Sequence, residues 1–400
     1  MNKIEANDVF KIFGSNPKEG LKRVKEGQGK QEILKETGMT VGVNNASFSV
    51  KAGEFFVIMG LSGSGKSTLI RLVNRLIDPT AGEILIDGED LTKMDKTELM
   101  QVRRKKLGMV FQRFALFQHR TILKNVEYGL EVQDFPKKER EERARKAIKD
   151  VGLSGYEESY PDQLSGGMQQ RVGLARALAN ETDILLMDEA FSALDPLIRK
   201  DMQDELLQLQ RNLNKTILFI THDLDEALKL GDRIAMMKDG EIVQIGTAEE
   251  IMSNPANDYV STFVQDVDRS KVLLASNVMK KPDVLTTVKE GPHVAVRRME
   301  EKGISSIFVV DKDQMLKGLL TIDEAVQGVK EKLPVEDLLV GTYPTTSPET
   351  PLHELIGVAA EAKYPIAVVE DGKLLGIIVR VSILSGLALG KEADEEVIIA

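Results

Sequence analysis

The chain contains no cysteine among its 400 residues. This absence excludes a disulfide framework and a thiolate metal site. No apolar run approaches the roughly 18 residues that crossing a bilayer requires, so the chain is not expected to span a membrane itself. The opening residues, MNKIEANDVFKIFG, lack the charged-then-apolar pattern of a secretory signal, which predicts a cytoplasmic location.

Positive charge is also in deficit, with 53 basic against 63 acidic residues and a net charge of −10. This balance argues against a general role in nucleic-acid binding. The composition, 42% hydrophobic and 29% charged, is typical of a soluble globular protein. A length of 400 residues predicts two or three domains, each with its own core.

Three apolar segments are interpreted as buried strands: EFFVIMG (54–60), DILLMDEA (183–190) and KTILFITHD (215–223). Segments with helical spacing lie between them. Strands that alternate with helices predict an α/β domain over residues 1–264, built on a sheet with parallel strands and right-handed crossovers. Within it, the polar residues 14–38 are interpreted as an insertion, and the pattern of residues 113–180 predicts a helical subdomain.

A change of composition indicates a linker over residues 265–277, and an internal repeat follows it. FVVDKDQMLKGLL (308–320) and AVVEDGKLLGII (367–378) both read as strand, acidic turn and strand, and their glycines, Gly318 and Gly376, are 58 residues apart. Two similar α+β modules are therefore predicted, at 278–334 and 335–390. The acidic residues 391–400 are interpreted as a solvated tail.

The segment from Gly60 to Ser67 matches G-x-x-x-x-G-K-[ST], with a predicted strand before it and a helix after it. Glycines let successive backbone N–H groups face a phosphate, and the helix N-terminus adds positive potential. Lys66 is expected to reach the β and γ phosphates, and Ser67 to hold Mg²⁺. ATP and Mg²⁺ are thus the predicted cofactors. The predicted binding residues here are Gly60, Leu61, Ser62, Gly63, Ser64, Gly65, Lys66, Ser67 and Thr68.

Further polar residues follow the other predicted strands. Asp188 suits a second Mg²⁺ contact, and Glu189 beside it is the predicted general base for the attacking water. His222 is expected at the carboxyl edge of the sheet, where it would sense or polarise the γ-phosphate. Gln112 follows a strand-like run, and its amide is expected to orient water or Mg²⁺.

A second glycine turn, LSGGMQQR (164–171), has a hydroxyl and a helix start but no lysine. Ser165, Gly166 and Gly167 are therefore predicted to form an anion-ready helix start, which needs no lysine of its own if another loop supplies one.

Taken together, GLSGSGKST, VFQ, LSGGMQQR, ILLMDEA, SALD and ITHD resemble, in this order and spacing, the nucleotide-binding subunit of ATP-binding-cassette (ABC) transporters. The resemblance covers roughly residues 1–262. It implies a homodimer in which Ser165 and Gly167 bind the γ-phosphate of ATP held by the lysine loop of the second copy. It also implies that Asp195 couples the two sites and that Gln112 connects ATP to a membrane permease. Phe13 is at the place of the residue that stacks on adenine, and a buried core position is the alternative for its ring.

The C-terminal repeat resembles a tandem pair of CBS domains, modules that often bind adenine nucleotides. Where such modules commonly show Thr-x-x-Asp, the first repeat has Thr321 and Glu324, and the second has Val379 and Ser382. This departure counts against a conventional nucleotide site in the second repeat. A purely dimerising role for the pair is the alternative.

The whole arrangement is similar to the ATPase subunit of glycine-betaine/proline-betaine importers. That resemblance implies osmolyte uptake at the cytoplasmic face of the membrane, with a permease that has a fused or separate substrate-binding domain. The alternatives are another solute, such as methionine or a polyamine, and a soluble ABC ATPase acting on nucleic acid.

Two modes of regulation are expected for the CBS pair. In the first, it binds an adenine nucleotide such as cyclic di-AMP. In the second, it senses ionic strength through screened contacts with anionic lipid or between charged surfaces, with the basic pairs Lys280-Lys281 and Arg297-Arg298 as the positive side.

Overall fold

The computed structural model describes residues 1–111, 115–192, 194–265, 268–286 and 290–388. The chain divides into two compact units, Met1–Val264 and Gln265–Ala400. Among the helices of the described residues, none combines the length and apolar character that crossing a bilayer requires.

The N-terminal unit is built from strands and α-helices in alternation. Its strands are β1 (Asn2–Phe13), β2 (Thr40–Lys51), β3 (Phe55–Met59), β4 (Ala81–Ile86), β5 (Glu89–Asp90), β6 (Leu107–Val110), β7 (Ile184–Asp188), β8 (Thr216–Thr221), β9 (Arg233–Lys238) and β10 (Glu241–Gly246). Its α-helices are α1 (Pro17–Lys25), α2 (Lys30–Thr37), α3 (Lys66–Val73), α4 (Lys96–Lys105), α5 (Ile122–Val126), α6 (Tyr128–Glu131), α7 (Lys137–Asp150), α8 (Gly166–Leu178), α9 (Pro196–Leu213), α10 (Leu224–Leu230), α11 (Ala248–Ser253) and α12 (Asp258–Val264).

The main sheet has the order β10-β9-β3-β8-β7-β6. Strands β9, β3, β8, β7 and β6 run parallel, and β10 closes one edge antiparallel to β9. Every residue of β3, β7 and β8 is buried, as expected for parallel strands covered on both faces. The predicted α/β fold is confirmed, and the antiparallel β10 makes its parallel core a mixed sheet.

A second, antiparallel sheet has the order β2-β1-β4-β5 and shares its core with the main sheet. Phe48 of β2 stacks on Phe56 of β3 with ring centroids 5.5 Å apart. Residues 14–38 connect β1 to β2 and contain α1 and α2. Ile33 of α2 is buried in a small cluster with Ile12 and Met39, which seats these two helices on the strands.

The C-terminal unit contains two similar α+β modules. Its strands are β11 (Val284–Thr286), β12 (Ser306–Val310), β13 (Leu316–Thr321), β14 (Thr345–Thr346), β15 (Ile366–Glu370) and β16 (Lys373–Ile378). Its α-helices are α13 (Arg269–Val272), α14 (Ala275–Val278), α15 (Pro292–Lys302), α16 (Ile322–Glu331), α17 (Leu352–Glu361) and α18 (Arg380–Ala388).

Each module has a three-stranded sheet, in the orders β11-β12-β13 and β14-β15-β16. The two repeat glycines occupy equivalent register positions, because Gly318 pairs with Val309 and Gly376 with Val368. A register shift follows each pair. The sequence repeat is therefore also a structural repeat.

The stretch expected to be a linker contains helical residues that pack within the C-terminal unit. Leu274 forms a β-bridge with Pro351, and Ala275 N donates a 2.8 Å hydrogen bond to the Thr350 carbonyl. These contacts order the chain ahead of the first module, since they satisfy backbone groups that a free linker would leave to water.

Candidate active site

The phosphate loop, residues 60–65, joins β3 to α3 and depends on glycine geometry. Gly60, Gly63 and Gly65 have φ of +156°, +81° and +107°. A Cβ on Gly60 would lie 2.1 Å from the Met237 carbonyl oxygen, and a Cβ on Gly65 would lie 2.3 Å from that of Gly42. The loop therefore needs glycine at these two positions for space as well as for backbone conformation.

Lys66 is held inside this loop. Its Nζ donates hydrogen bonds to the carbonyl oxygens of Gly60 at 2.7 Å and Leu61 at 3.0 Å. Burial lowers the pKa of Lys66, against the opposing effect of the Glu189 and Asp188 carboxylates. A cation placed in this way is suited to exchange carbonyl contacts for the oxygens of a phosphate.

The remaining loop residues differ in exposure. Leu61 and Ser62 are exposed, Thr68 is half-buried, and Ser64 is buried. The Ser64 Oγ has no hydrogen-bond partner within the described part of the chain.

Ser67 and Asp188 form one oxygen-rich pair. The Ser67 Oγ donates a 2.9 Å hydrogen bond to Asp188 Oδ1, and Arg71 lies 3.9 Å from Asp188 Oδ2. Burial raises the pKa of Asp188, and the Ser67 hydrogen bond and the Arg71 charge oppose this shift. The negative charge of the buried Asp188 carboxylate is therefore only partly compensated, which makes this side chain suited to bind a cation.

Glu189 and His222 form a second pair beside the first. The His222 Nδ1 lies 3.3 Å from Glu189 Oε2, and the imidazole side chain is 54% exposed. The backbone at Glu189 has φ of +46°, and its N–H donates a 3.0 Å hydrogen bond to the Ile220 carbonyl. This left-handed conformation is unfavourable for a residue other than glycine. It fixes the direction in which the Glu189 carboxylate leaves the end of β7.

The second glycine turn starts α8. Ser165 is the N-cap residue, and its Oγ accepts a 3.4 Å hydrogen bond from the Met168 N–H. The helix begins at the exposed Gly166, and a Cβ on Gly167 would lie 2.5 Å from Ile198 Cγ2. Among the described residues, no hydrogen bond or ion pair joins Ser165, Gly166 or Gly167 to the phosphate loop of the same chain.

Asp195 is the N-cap residue of α9, and its Oδ1 accepts a 3.1 Å hydrogen bond from the Ile198 N–H. The neighbouring Leu197 is 73% exposed. Gln112, the predicted link to water and Mg²⁺, lies outside the described residues.

Phe13 lies at the end of β1, close to the start of α3. A Cβ on Gly42 would lie 2.7 Å from Phe13 Cε2 and 3.3 Å from Thr68 Cγ2, so the ring and the phosphate-loop helix border the same small space. The ring is 41% exposed, and Lys11 Nζ lies 5.1 Å from its centroid. The alternative of a buried core position for Phe13 is therefore wrong.

The structure thus brings five of the predicted residues to one edge of the main sheet. They are Lys66, Ser67, Asp188, Glu189 and His222. Ser165, Gly166, Gly167 and Asp195 instead cap two helices of the same unit.

Sequence reasoning missed three neighbours of the site. Arg71 was detectable, because it lies one helical turn after Ser67 and so faces the same way. The N–H of Gly240, which donates a 2.8 Å hydrogen bond to the Ser64 carbonyl, and the Nζ of Lys30, which donates a 3.2 Å hydrogen bond to the Gly63 carbonyl, come from distant segments without a motif.

Comparison with known families agrees with this geometry. The ABC transporter family model matches residues 43–192, and the CBS domain model matches residues 275–331 and 335–389. A solved dimeric ATP-binding cassette in a post-hydrolysis state with ADP and phosphate is 34% identical, with a TM-score of 0.52 over 61% of this chain and 98% of that chain. These matches define an ATP-binding, ATP-hydrolysing subunit of the ABC transporter class that also carries a CBS pair.

Full-length relatives narrow the class. The glycine betaine/carnitine transport ATP-binding protein GbuA of Listeria monocytogenes is 57% identical over 98% of this chain and 99% of that protein. OpuAA of Bacillus subtilis, a glycine betaine transport ATP-binding protein, is 57% identical over 98% of this chain and 93% of its own length. ProV of Escherichia coli, named for glycine betaine/proline betaine transport, is 47% identical over 96% and 97%. The chain belongs to the family of glycine betaine transport ATP-binding proteins.

Proposed function

We propose that the chain energises uptake of a quaternary-amine osmolyte, glycine betaine or proline betaine, by hydrolysing ATP beside a separate membrane permease. The observation that carries this proposal is the 57% identity, over nearly the whole chain, to proteins named for glycine betaine transport. The subunit then sits peripherally at the cytoplasmic face of the membrane, held by the permease, which has a fused or separate substrate-binding domain.

The phosphate loop and Lys66 bind the β and γ phosphates of ATP. Glu189 accepts the proton of the attacking water, a role that contributes typically about 10²- to 10⁴-fold in rate. The 3.3 Å contact between His222 and Glu189 supports a shared task, in which the imidazole orients the carboxylate and reaches the γ-phosphate. Phe13 is proposed to stack on adenine, since its half-exposed ring lies beside Thr68 on the first turn of α3.

Mg²⁺ fits the pair Ser67 and Asp188. Both supply hard oxygen donors, and Mg²⁺ is usually bound through one or two protein oxygens together with phosphate oxygens and water. No group of three histidine, cysteine or acidic residues gathers as a metal site in the described ranges, so ATP and water would complete the coordination. When bound, the ion neutralises charge on the β and γ phosphates. Gln112 is the third proposed ligand.

A second copy of the chain is proposed to complete each ATP site with Ser165, Gly166 and Gly167. Two observations support this arrangement. The helix start is exposed at Ser165 and Gly166, and it makes no hydrogen bond to its own phosphate loop among the described residues. The similar solved cassette is itself dimeric. Asp195 would couple the two sites across this interface.

Reconstitution with the permease in liposomes tests the function. Glycine betaine should stimulate ATP hydrolysis, and its transport across the liposome membrane should require ATP. Glu189→Gln should abolish both effects. Carnitine and proline betaine serve as competitors that rank the cargo. ATP hydrolysis that responds to DNA or RNA but not to betaine would instead support a soluble ATPase acting on nucleic acid.

Regulation by an adenine nucleotide, such as cyclic di-AMP, is proposed for the CBS pair. A cavity of about 410 Å³ in the second module is lined by Tyr364, Lys363 and Arg380, among others. An aromatic face with neighbouring cations suits a base and a phosphate. The cavity lies in the module that lacks Thr-x-x-Asp, so the aromatic and basic groups carry the proposal there.

Sensing of ionic strength has weaker structural support. Arg298 binds Glu290 in a close ion pair and also the Val284 carbonyl, and Arg297 lies 3.6 Å from Glu301. These arginines are neutralised within their own module, which leaves Lys280 and Lys281 as the basic pair for anionic lipid.

Calorimetry of the full chain with cyclic di-AMP separates the two modes. Heat of binding that is lost in Tyr364→Leu supports the nucleotide site, and the leucine retains apolar packing. Absence of heat, combined with salt-dependent binding to vesicles with anionic lipid that is lost on replacing Lys280 and Lys281, supports ionic-strength sensing.

A further inference from the structure

The inserted segment reaches the phosphate loop through one lysine. Lys30 is the first residue of α2, and its Nζ donates a 3.2 Å hydrogen bond to the Gly63 carbonyl. Gly63 lies at the exposed part of the loop. A segment outside the phosphate-binding motif thus touches the motif at its middle glycine.

Among the three glycines of the loop, Gly63 is the one with open space around its Cα. A Cβ at this position would meet no atom within 4 Å, so packing does not hold it. Glycine also occupies positive and negative φ with similar ease, so its peptide can rotate at little cost. A hydrogen bond to its carbonyl therefore restrains the orientation of the Gly63–Ser64 peptide, at a residue whose φ is +81°.

Other backbone groups of the loop make hydrogen bonds within the same unit. The Ser64 N–H donates a 3.2 Å hydrogen bond to the Leu61 carbonyl, and the Ser64 carbonyl accepts one of 2.8 Å from the Gly240 N–H. Lys66 occupies the carbonyls of Gly60 and Leu61. Lys30 adds a second contact to the Gly63–Ser64 peptide, because its Nζ binds the Gly63 carbonyl oxygen while the Ser64 N–H of the same peptide binds the Leu61 carbonyl.

The two inserted helices can transmit such a restraint because they are fixed to the domain. Ile33, one turn after Lys30, is fully buried. Arg23 of α1 donates hydrogen bonds to Glu19 at 3.2 Å and to Glu36 of α2 at 2.8 Å, which ties the helices to each other. The ammonium group of Lys30 therefore belongs to a helix, α2, that is packed on the domain, and not to a free loop.

We propose that Lys30 is a positioning residue of the phosphate loop, through which the inserted helices set the affinity for the nucleotide. Lys30 acts on Gly63, and its charge also adds to the positive potential at the mouth of the loop. This inference rests on the proposed phosphate-binding role of residues 60–67.

Equilibrium binding of ADP with Mg²⁺ to the purified full chain tests the inference by calorimetry. Lys30→Met keeps the apolar stem and removes the donor, and it should raise the Kd by roughly three- to tenfold, the effect of one hydrogen bond. Lys30→Arg retains a donor and should restore most of the affinity. Lys35→Met is the matched control, since Lys35 is exposed on the last turn of the same helix.

Thermal unfolding without nucleotide distinguishes positioning from folding. Lys30→Met and Lys35→Met should unfold at the same temperature while their Kd values differ. Equal Kd values for these two variants overturn the inference, and so does a lower unfolding temperature of Lys30→Met that accompanies the loss of affinity. Lys66→Ala tests the underlying role of the loop: if it binds ADP as the wild type does, the proposed phosphate site itself fails. If Lys66→Ala loses binding and Lys30→Met does not, only the role of Lys30 fails.

Discussion

Ser67 on the first turn of α3 and Asp188 at the end of β7 share a 2.9 Å hydrogen bond across 121 residues of sequence. They meet because β3 and β7 flank β8 in parallel, so that both strands deliver the residues after them to one edge of the sheet. This contact places a buried carboxylate beside the hydroxyl of the phosphate-binding motif. The chemistry of the site therefore depends on strand order as much as on either motif.

Asp188→Asn should abolish Mg²⁺-dependent hydrolysis and yet stabilise the protein without nucleotide at neutral pH. Because burial raises the pKa of Asp188 above its ordinary value, the folded state favours the neutral acid, and ionisation costs stability. That cost is absent below the unfolded pKa and appears as the pH rises through the higher, folded pKa. The asparagine retains an acceptor for Ser67 and carries no such cost.

Melting curves across pH, without nucleotide, check this prediction. The variant should melt above the wild type near neutral pH, by about 2–4 °C for each 1 kcal/mol of relief, and the difference should disappear toward about pH 4. A wild type that melts higher than the variant at neutral pH would contradict the stated role of burial.

Glu189→Gln should lower ATP hydrolysis by at least about 100-fold while ATP still binds, since the amide cannot accept the proton of water. The ATP-loaded variant should also remain dimeric, which light scattering measures. Glu158→Gln, at a side chain that is 78% exposed, is the control and should behave as the wild type. Full turnover by Glu189→Gln would remove Glu189 from its role as general base.

Mixed dimers test whether the two copies complete each other's sites. In the Glu189→Gln background, chains with Lys66→Ala and chains with Ser165→Arg each form homodimers whose sites all contain one defect. A dimer with one chain of each kind has one intact site if lysine and serine come from different chains. Retention of labelled ATP should therefore be absent in both homodimers and present, at one per dimer, in the mixture. No retention in the mixture would mean that each site is built from a single chain.

Gly60→Ala and Gly63→Ala should differ in severity for a steric reason. The methyl group on Gly60 would lie 2.1 Å from the Met237 carbonyl oxygen, whereas the one on Gly63 meets nothing within 4 Å. Gly63→Ala should cost only the left-handed backbone penalty, about 1–2 kcal/mol, and Gly60→Ala should cost more and abolish ATP binding. Denaturant unfolding and ATP titration measure both effects, and equal stability of the two variants would contradict the steric account.

Local sequence patterns were sufficient to predict much of the fold and of the candidate site. The loop from Gly60 to Ser67 was predictable because glycine spacing, a preceding apolar strand and a following amphipathic helix all act within about a dozen residues. The repeat around Gly318 and Gly376 was predictable for the same reason, since strand, turn and strand are adjacent in sequence.

Contacts between distant segments were not predictable in this way. The helical structure at 269–278 depends on contacts with residues near Pro351. Phe13 illustrates the same limit, because only the packing of β1 beside Gly42 decides that its ring is half exposed.

The sequence by itself determined the motifs, the order of strands and helices, the repeat and hence the family, because these are properties of residues close together in the chain. The tertiary structure alone decided that Ser67 meets Asp188, that Glu189 meets His222 and that Lys30 reaches Gly63. Each of these contacts joins elements whose separation in space is set by sheet order and core packing, which no local pattern records.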